Sequence, residues 1–305
     1  MSFIYSHSIN ERSDTMNSSF KEVSVGYIIL MIISILILSV ILSLALTPAV
    51  PDSYNIFLEF FIDFIFYCTV LLALIFLVRK KEISLLHIIG QKKIEFKKII
   101  FFLLLLLIGT IASISSVFFL LRLLLLFPGG SRFFETISTE LDYVPPATSP
   151  FLSKFILSVL IGPFVEEFLF RGVLLNKWAE GFGIKKAVIL SSLLFMALHL
   201  NSFFVPQFIL GILLAIIYVK TKTLIYPLLL HSINNFIVLV IDYIPLNDEP
   251  SLVETETNLL ISSLNIFSII FFAGLFVFII LISRYSKNIN NELTPFQYNT
   301  RMEQR

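Results

Sequence analysis

The sequence predicts an all-α polytopic membrane protein of about eight transmembrane helices, with its N and C termini in the cytoplasm. Three observations carry that reading. Of the 305 residues, 57% are apolar and only 14% charged, against roughly 25% charged in soluble domains. Apolar runs recur at about the 20 residues that a helix needs to cross the bilayer core. The segments between those runs alternate in the sign of their charge.

In chain order, residues 1–24 are polar and of mixed charge, and read as a cytoplasmic N-terminal segment. The run Val25–Leu46 is longer than a signal-peptide core, so it reads as a retained span although Leu46 to Ala49 mimics a cleavage site. Ile56–Val78 follows, then Ile99–Phe127, which is long and holds Arg122, a side chain suited to snorkel from a tilted helix. With the outer loop Pro128–Pro150, made irregular by Gly129-Gly130 and Pro145-Pro146, these runs form an N-terminal three-helix region over 25–150. Residues 151–244 hold four more runs, Phe155–Leu175, Ala187–Leu200, Phe203–Val219 and Leu224–Ile244. The middle two are short and only His199 to Ser202 separate them, which suggests a tight helical hairpin. Residues 245–305 supply a last span, Leu259–Ile282, and a cytoplasmic tail. The single cysteine, Cys68, cannot form an intramolecular disulfide and reads as packing.

Charge sets the orientation. Arg79, Lys80, Lys81, Lys92, Lys93, Lys97 and Lys98 fall between spans two and three. Lys177, Lys185 and Lys186 fall between four and five, Lys220 and Lys222 between six and seven, and Arg284, Lys287, Arg301 and Arg305 after span eight. The opposite segments hold Asp52, then Arg132 with Glu135, Glu140 and Asp142, then Asp248, Glu249, Glu254 and Glu256. By the positive-inside rule every basic segment is cytoplasmic. A net charge of only +1 leaves no basic excess for a nucleic-acid partner.

Within this apolar chain, Phe164-Val165-Glu166-Glu167-Phe168-Leu169-Phe170-Arg171 is the exception. A charge placed in the membrane costs about 2.5–3.5 kcal/mol on insertion scales, so intramembrane charges mark functional sites. Glu167 and Arg171 are spaced i, i+4 and share a helix face, where they can pair. Glu166 points about 100° away, a carboxylate left to act as a proton acceptor. Gly162-Pro163 just before the pair suggests an interruption from which a new helix starts, placing both glutamates in a first turn that favours anions. Phe195 and His199 are i, i+4 in the fifth run, so the ring is placed to wall a site around the imidazole. In the seventh run His231 and Asn235 are i, i+4 and suit the stabilisation of a developing oxyanion. A helix–helix polar clamp is the structural alternative for that pair. Counting from the nearest cytoplasmic lysine at ~1.5 Å per residue puts Glu166, His199 and His231 roughly 14–20 Å deep, with Asn235 one turn further. One shared layer implies one shared site. Ser191, Ser192 and Ser232 lie nearby and read as hydroxyls bonded to their own helix.

A carboxylate, two imidazoles and an amide suit hydrolysis of an acyl bond by activated water. The same carboxylate and imidazoles, Glu166, His199 and His231, are also a zinc-type ligand set, although His-Glu-x-x-His is absent.

The three motifs Glu166-Glu167-x-x-x-Arg171, Phe195-x-x-x-His199 and His231-x-x-x-Asn235, in this order, resemble those of the CPBP family, also called the Abi or type II CAAX prenyl endopeptidase family. Ser191 to Phe195 and Gly211 to Tyr218 resemble it too, and the similarity covers roughly Phe151–Val240. The resemblance implies an intramembrane endopeptidase of eight helices with a chamber open to the cytosol. It implies that Glu166 and His199 activate water while His231 and Asn235 serve the oxyanion, with no cofactor required and Zn2+ as the alternative. It further implies a membrane-associated peptide or protein substrate, the lipid bilayer as surroundings and no nucleic acid. The short loops and the Ile-, Phe-, Asn- and Lys-rich composition look bacterial, so the expected location is a bacterial plasma membrane. Two rival functions remain at this stage. One is a non-catalytic immunity or scaffold protein of the same fold. The other is a proton-coupled transporter, for which Glu59 and Asp63 would be further acidic groups.

Overall fold

The computed structural model describes residues 20–90, 94–130, 150–199, 204–243 and 257–304. Most of the outer loop, the ends of the fifth and sixth runs and the acidic segment after Tyr243 lie outside the described residues. Among the described residues the regular structure is entirely helical, with no strand. In hydrocarbon every backbone N–H and C=O must be satisfied within its own segment, which leaves the helix as the spanning form of such apolar runs.

The helices are α1 (Val25–Leu46), α2 (Asn55–Lys80), the short α3 (Leu85–Ile89), α4 (Phe96–Leu125), α5 (151–182), α6 (Ile184–Ala197), α7 (Phe204–Thr221), α8 (Ile225–Asp242), α9 (Thr257–Tyr285) and α10 (Pro295–Glu303). Each expected apolar run has a helix. Five of them, α1, α2, α4, α8 and the described part of α9, are long and apolar enough to cross a membrane. The other three expected spans differ for identifiable reasons. α6 has only 14 residues, α7 is a shorter apolar helix, and α5 carries Glu166, Glu167 and Arg171 at its centre.

α1 shows the outer, lipid-facing pattern. Ser24 caps it by accepting from the Tyr27 N–H, and Ile28 is its one buried residue. α4 and α9 pair along their length through aromatic contacts. Phe118 stacks on Phe267 at 4.2 Å between ring centroids, and Phe119 meets Phe271 at 5.3 Å. α7 lies at the centre of the molecule, with Leu213, Leu214, Ala215, Ile217, Tyr218 and Val219 fully buried. Gly211 allows α7 to approach α6, since a Cβ there would sit 3.0 Å from Ser192 Cβ.

The expected interruption at Gly162-Pro163 is absent. α5 runs on through it, with π-helical turns at Phe155–Ile161 and Phe168–Leu175 flanking an α-helical stretch at Gly162–Glu167. The wider turn is the reason. Gly162 N–H bonds to Leu157 O, five residues back, so the ladder passes around Pro163, which has no N–H to offer. Glu166 and Glu167 therefore sit inside a continuous helix, and no helix N-terminus supports them.

The basic end of the bundle is closed. α10 begins with a capping box, Thr294 and Gln297 bonding reciprocally, and Pro295 at its first position. It packs against α3, where Asn299 Nδ2 donates to both His87 O and Lys222 O. Gly90 makes this junction possible, because a Cβ at its φ of +75° would lie 2.2 Å from Lys222 O. Beneath α5, Tyr218 Oη donates to Ile88 O at 2.8 Å and accepts from Asn176 Nδ2, while Asn176 Oδ1 accepts from Phe296 N–H. Phe20 closes edge-on against Phe296. The expected tail is thus partly a structural floor.

Glu292 ties that floor to α7, accepting from Lys220 Nζ at 2.6 Å and Lys222 Nζ at 2.7 Å. Burial pushes its carboxyl up, but the hydrogen bonds and charges of the two lysines outweigh burial and hold it below the ordinary glutamate value. The pair's contribution is therefore complete above the unfolded glutamate range, near 4.3, and is lost as pH falls through the lower folded value. Glu292→Gln is expected to cost about 0.5–1.5 kcal/mol at pH 7, since solvent screens this partly exposed carboxylate. The difference from wild type should shrink as pH drops below 4 in unfolding experiments in detergent.

Candidate active site

The six residues singled out by sequence come from α5, α6 with the residues just after it, and α8, and three of them, Glu167, Arg171 and His231, are directly hydrogen-bonded, with Glu166 and His199 beside them. Glu167 is buried, and its Oε1 accepts from Arg171 Nη1 at 2.8 Å and from His231 Nδ1 at 2.8 Å. The i, i+4 pair read from spacing forms as expected and gains His231 as a third member. Arg171 is fully buried, donates through Nη2 to Gly211 O and lies over the Phe195 ring at 4.7 Å. Phe195 also meets His199 at 4.4 Å and His231 at 5.6 Å between centroids. It is the common wall of the site.

Glu166 faces the other way. His199 Nε2 stands 3.6 Å and His231 Nε2 3.8 Å from its Oε2. These separations are too long for direct hydrogen bonds and within reach of a shared water. Glu166 Oε2 is buried and has no hydrogen-bond partner among the described residues. Both imidazoles are oriented through their other nitrogen. His199 Nδ1 lies 2.7 Å from Phe195 O, and His231 Nδ1 bonds to the Glu167 carboxylate. A carbonyl or carboxylate oxygen can only accept here, so Nδ1 carries the proton in each ring and Nε2 is turned to Glu166.

Asn235 has a second task that its spacing did not reveal. Its Nδ2 donates to Ser158 O at 2.8 Å. In the π-helical register of α5 that carbonyl faces Pro163, which has no N–H to give, so the amide from α8 replaces the missing helical donor. Asn235 is therefore a clamp between helices. Its second amide hydrogen is not used by this bond, and its side chain still borders the site cavity. Asn234, directed elsewhere, donates to Asn235 Oδ1. Ser191 and Ser192 both bond back to Val188 O, as their position within α6 suggests.

The site borders a cavity of about 490 Å3 lined by His199, His231 and Asn235, and by Tyr67, Ser158 and Gln207. The cavity extends to Glu59 and Asp63 near the start of α2, Lys154 near the start of α5 and Asp242 at the end of α8. These helix ends are opposite those carrying Arg79, Lys80, Lys177, Lys220 and Lys222. Among the described residues the cavity lining therefore lies toward the acidic helix ends, while Asn176, Tyr218, Phe296 and α10 pack together at the basic end, where the chamber was expected to open. Glu59, Asp63 and Tyr67 are one stripe at i, i+4, i+8 on α2. That spacing was readable in the sequence, but Tyr67 was missed because a tyrosine in an apolar run gives no signal alone.

The carboxylate and imidazoles have the right chemistry for zinc. Among the described residues, however, no group of three or more His, Cys, Asp or Glu side chains is arranged to hold a metal ion.

Residues 148–237 match the Rce1-like family model, described as type II CAAX prenyl endopeptidase Rce1-like. The matched segment contains all six candidate residues and supports the resemblance to the CPBP family, while α1, α2, α4 and α9 lie outside it. No curated protein and no solved structure matches the chain.

Removing Arg171 would leave the Glu167 charge buried with only His231 to balance it. Arg171→Met is expected to destabilise the protein by about 3–5 kcal/mol, measured by chemical unfolding in micelles. A loss below about 1 kcal/mol would show that the pair does not hold α5 in place.

Proposed function

We propose that this multi-pass membrane protein is an intramembrane endopeptidase that hydrolyses a peptide bond of a membrane-associated polypeptide. The observation that carries this reading is the Glu166 carboxylate. Its Oε2 is buried, has no hydrogen-bond partner among the described residues, and is faced by two imidazoles that line a cavity. Glu167 is held at Oε1 by Arg171 and His231, whereas no described side chain donates a hydrogen bond to Glu166 Oε2, and an acceptor left in that state is costly unless a bound molecule or water meets it. This argues against the scaffold reading. The transporter reading would rest on Glu59 and Asp63 in the cavity wall, and it gives no role to the two imidazoles that face Glu166.

In the proposed reaction Glu166, helped by His199, takes a proton from water, and the water oxygen attacks the substrate carbonyl. The carbonyl π electrons move to oxygen, giving a tetrahedral oxyanion. His231, protonated at Nε2 as well as at the Nδ1 held by Glu167, and the second amide hydrogen of Asn235 donate to that oxyanion. Collapse breaks the C–N bond, and Glu166 returns the proton to the leaving amine. Arg171 and Glu167 are positioning residues. No metal takes part in this scheme, and zinc held by Glu166, His199 and His231 is the alternative. With basic loops cytoplasmic, the cavity admits substrate from the opposite face of the membrane.

The test is peptide cleavage by the full-length protein in lipid vesicles, with elemental analysis of the same sample. Glu166→Gln and His199→Ala should each lower kcat by about 10²–10⁴ without changing the melting temperature. Sealed vesicles that expose the acidic end should cleave an impermeant peptide, and those that expose the basic end should not. Undiminished cleavage by Glu166→Gln would contradict the mechanism, and stoichiometric zinc required for cleavage would replace the metal-free scheme.

A further inference from the structure

The matched family segment supplies the base and the imidazoles, but the cavity has a wall from outside that segment. α2 lines it with Ile56, Glu59, Phe60, Asp63 and Tyr67. Tyr67 is the deepest of these along α2. Its hydroxyl approaches the backbone of α5 at Gly162: a Cβ on that glycine would lie 3.5 Å from Tyr67 Oη and 2.9 Å from Leu157 O. Gly162 and Glu166 are i, i+4 within the α-helical stretch of α5, so they share a face. The phenol that reaches Gly162 is therefore one turn from the catalytic carboxylate, and it lies within electrostatic range of it.

No described residue is hydrogen-bonded to Tyr67 Oη, and the half-buried side chain lines the cavity. The hydroxyls of Tyr218 and Tyr226, on α7 and α8, are bonded to the chain. A tyrosine hydroxyl in an apolar bundle normally finds a partner. One at a cavity also lined by His199, His231 and Asn235 is placed to find it in a bound molecule. On the oxyanion side each neighbouring group has one hydrogen at most to offer, because one amide hydrogen of Asn235 is committed to Ser158 O and His231 Nδ1 to Glu167.

We propose that Tyr67 is a catalytic residue, a neutral phenol that donates a hydrogen bond from α2 to the carbonyl oxygen of the scissile peptide as it becomes an oxyanion. This rests on the peptidase reading and adds to it. No proton is transferred by Tyr67. Water forms the new C–O bond, the carbonyl π pair goes to the oxygen that the phenol stabilises, and on collapse the C–N bond breaks with Glu166 protonating the amine. α2 then belongs to the reacting centre as well as to its enclosure.

The experiment compares wild type, Tyr67→Phe and Glu166→Gln in lipid vesicles, following kcat, KM and melting temperature. Tyr67→Phe removes one oxygen and keeps the ring. It should lower kcat by about 10²–10³, the range for one oxyanion donor, with KM and melting temperature near wild type. Replacing Tyr67 with 3-fluorotyrosine, which makes the phenol more acidic and keeps the donor, should preserve most of kcat at neutral pH. Wild-type kcat in Tyr67→Phe, or a change confined to KM, would overturn the proposal while leaving the peptidase reading intact. An equal loss of kcat in the fluorinated and Phe variants would overturn it too, by showing that the site rejects any change there. Full activity in Glu166→Gln would instead bring down the underlying reaction scheme.

Discussion

The structure depends on a buried charge that is shared three ways. Glu167 lies in the middle of a membrane bundle and survives there because Arg171, one turn on, and His231, from another helix, converge on the same carboxylate oxygen. An ion pair in a low-dielectric interior is weak evidence for stability, but a broken one is very costly, so the three groups fix one another's positions. Arg171 extends the constraint to α7 through Gly211 O and to α6 through the face of Phe195. Four helices are registered by one guanidinium and its carboxylate. The division of labour between the adjacent glutamates follows: Glu167 is held in this lock through Oε1, and Glu166, about 100° around the helix, faces the two imidazoles.

A second constraint comes from Pro163. A proline in mid-helix costs a hydrogen bond and leaves a carbonyl unpaired. Here π-helical turns carry the chain past it, and Asn235 of α8 supplies the missing donor to Ser158 O. The irregular helix and the amide from its neighbour are one device. It brings α8 close enough for His231 to reach both glutamates. The basic end is packed by α3, α10 and the Asn176–Tyr218 hydrogen bonds, and the described cavity lining runs the other way, toward Glu59, Asp63 and Asp242.

Much of this was legible in the chain. The apolar runs located the helices because hydrocarbon length dictates run length, and the Glu167–Arg171 spacing located their contact because both lie on one helix. Phe195 as the wall of the site followed from the same periodicity. What could not be read were relations set by backbone details and by packing between helices. Gly162-Pro163 looked like a break, since sequence does not show whether a π-turn will absorb a proline. His231 and Asn235 looked like equivalent oxyanion donors, since spacing shows that they share a face and not what lies opposite. The packed basic end was missed because a polar C-terminal tail reads as solvated, although Thr294, Pro295 and Gln297 already spelled a capped helix. Tyr67 was missed because its importance comes only from the neighbours that α5 gives it.

The most direct test of the central claim is the protonation state of the His231 ring, read from 15N chemical shifts of ring-labelled histidine in bilayers with His231 assigned by substitution. If Glu167 is locked between Arg171 and His231, Nδ1 of His231 carries a proton hydrogen-bonded to the carboxylate, and its signal changes in Glu167→Gln. An Nδ1 without a proton, or a spectrum indifferent to Glu167, would contradict the shared-charge lock and the separation of roles between Glu166 and Glu167 that follows from it.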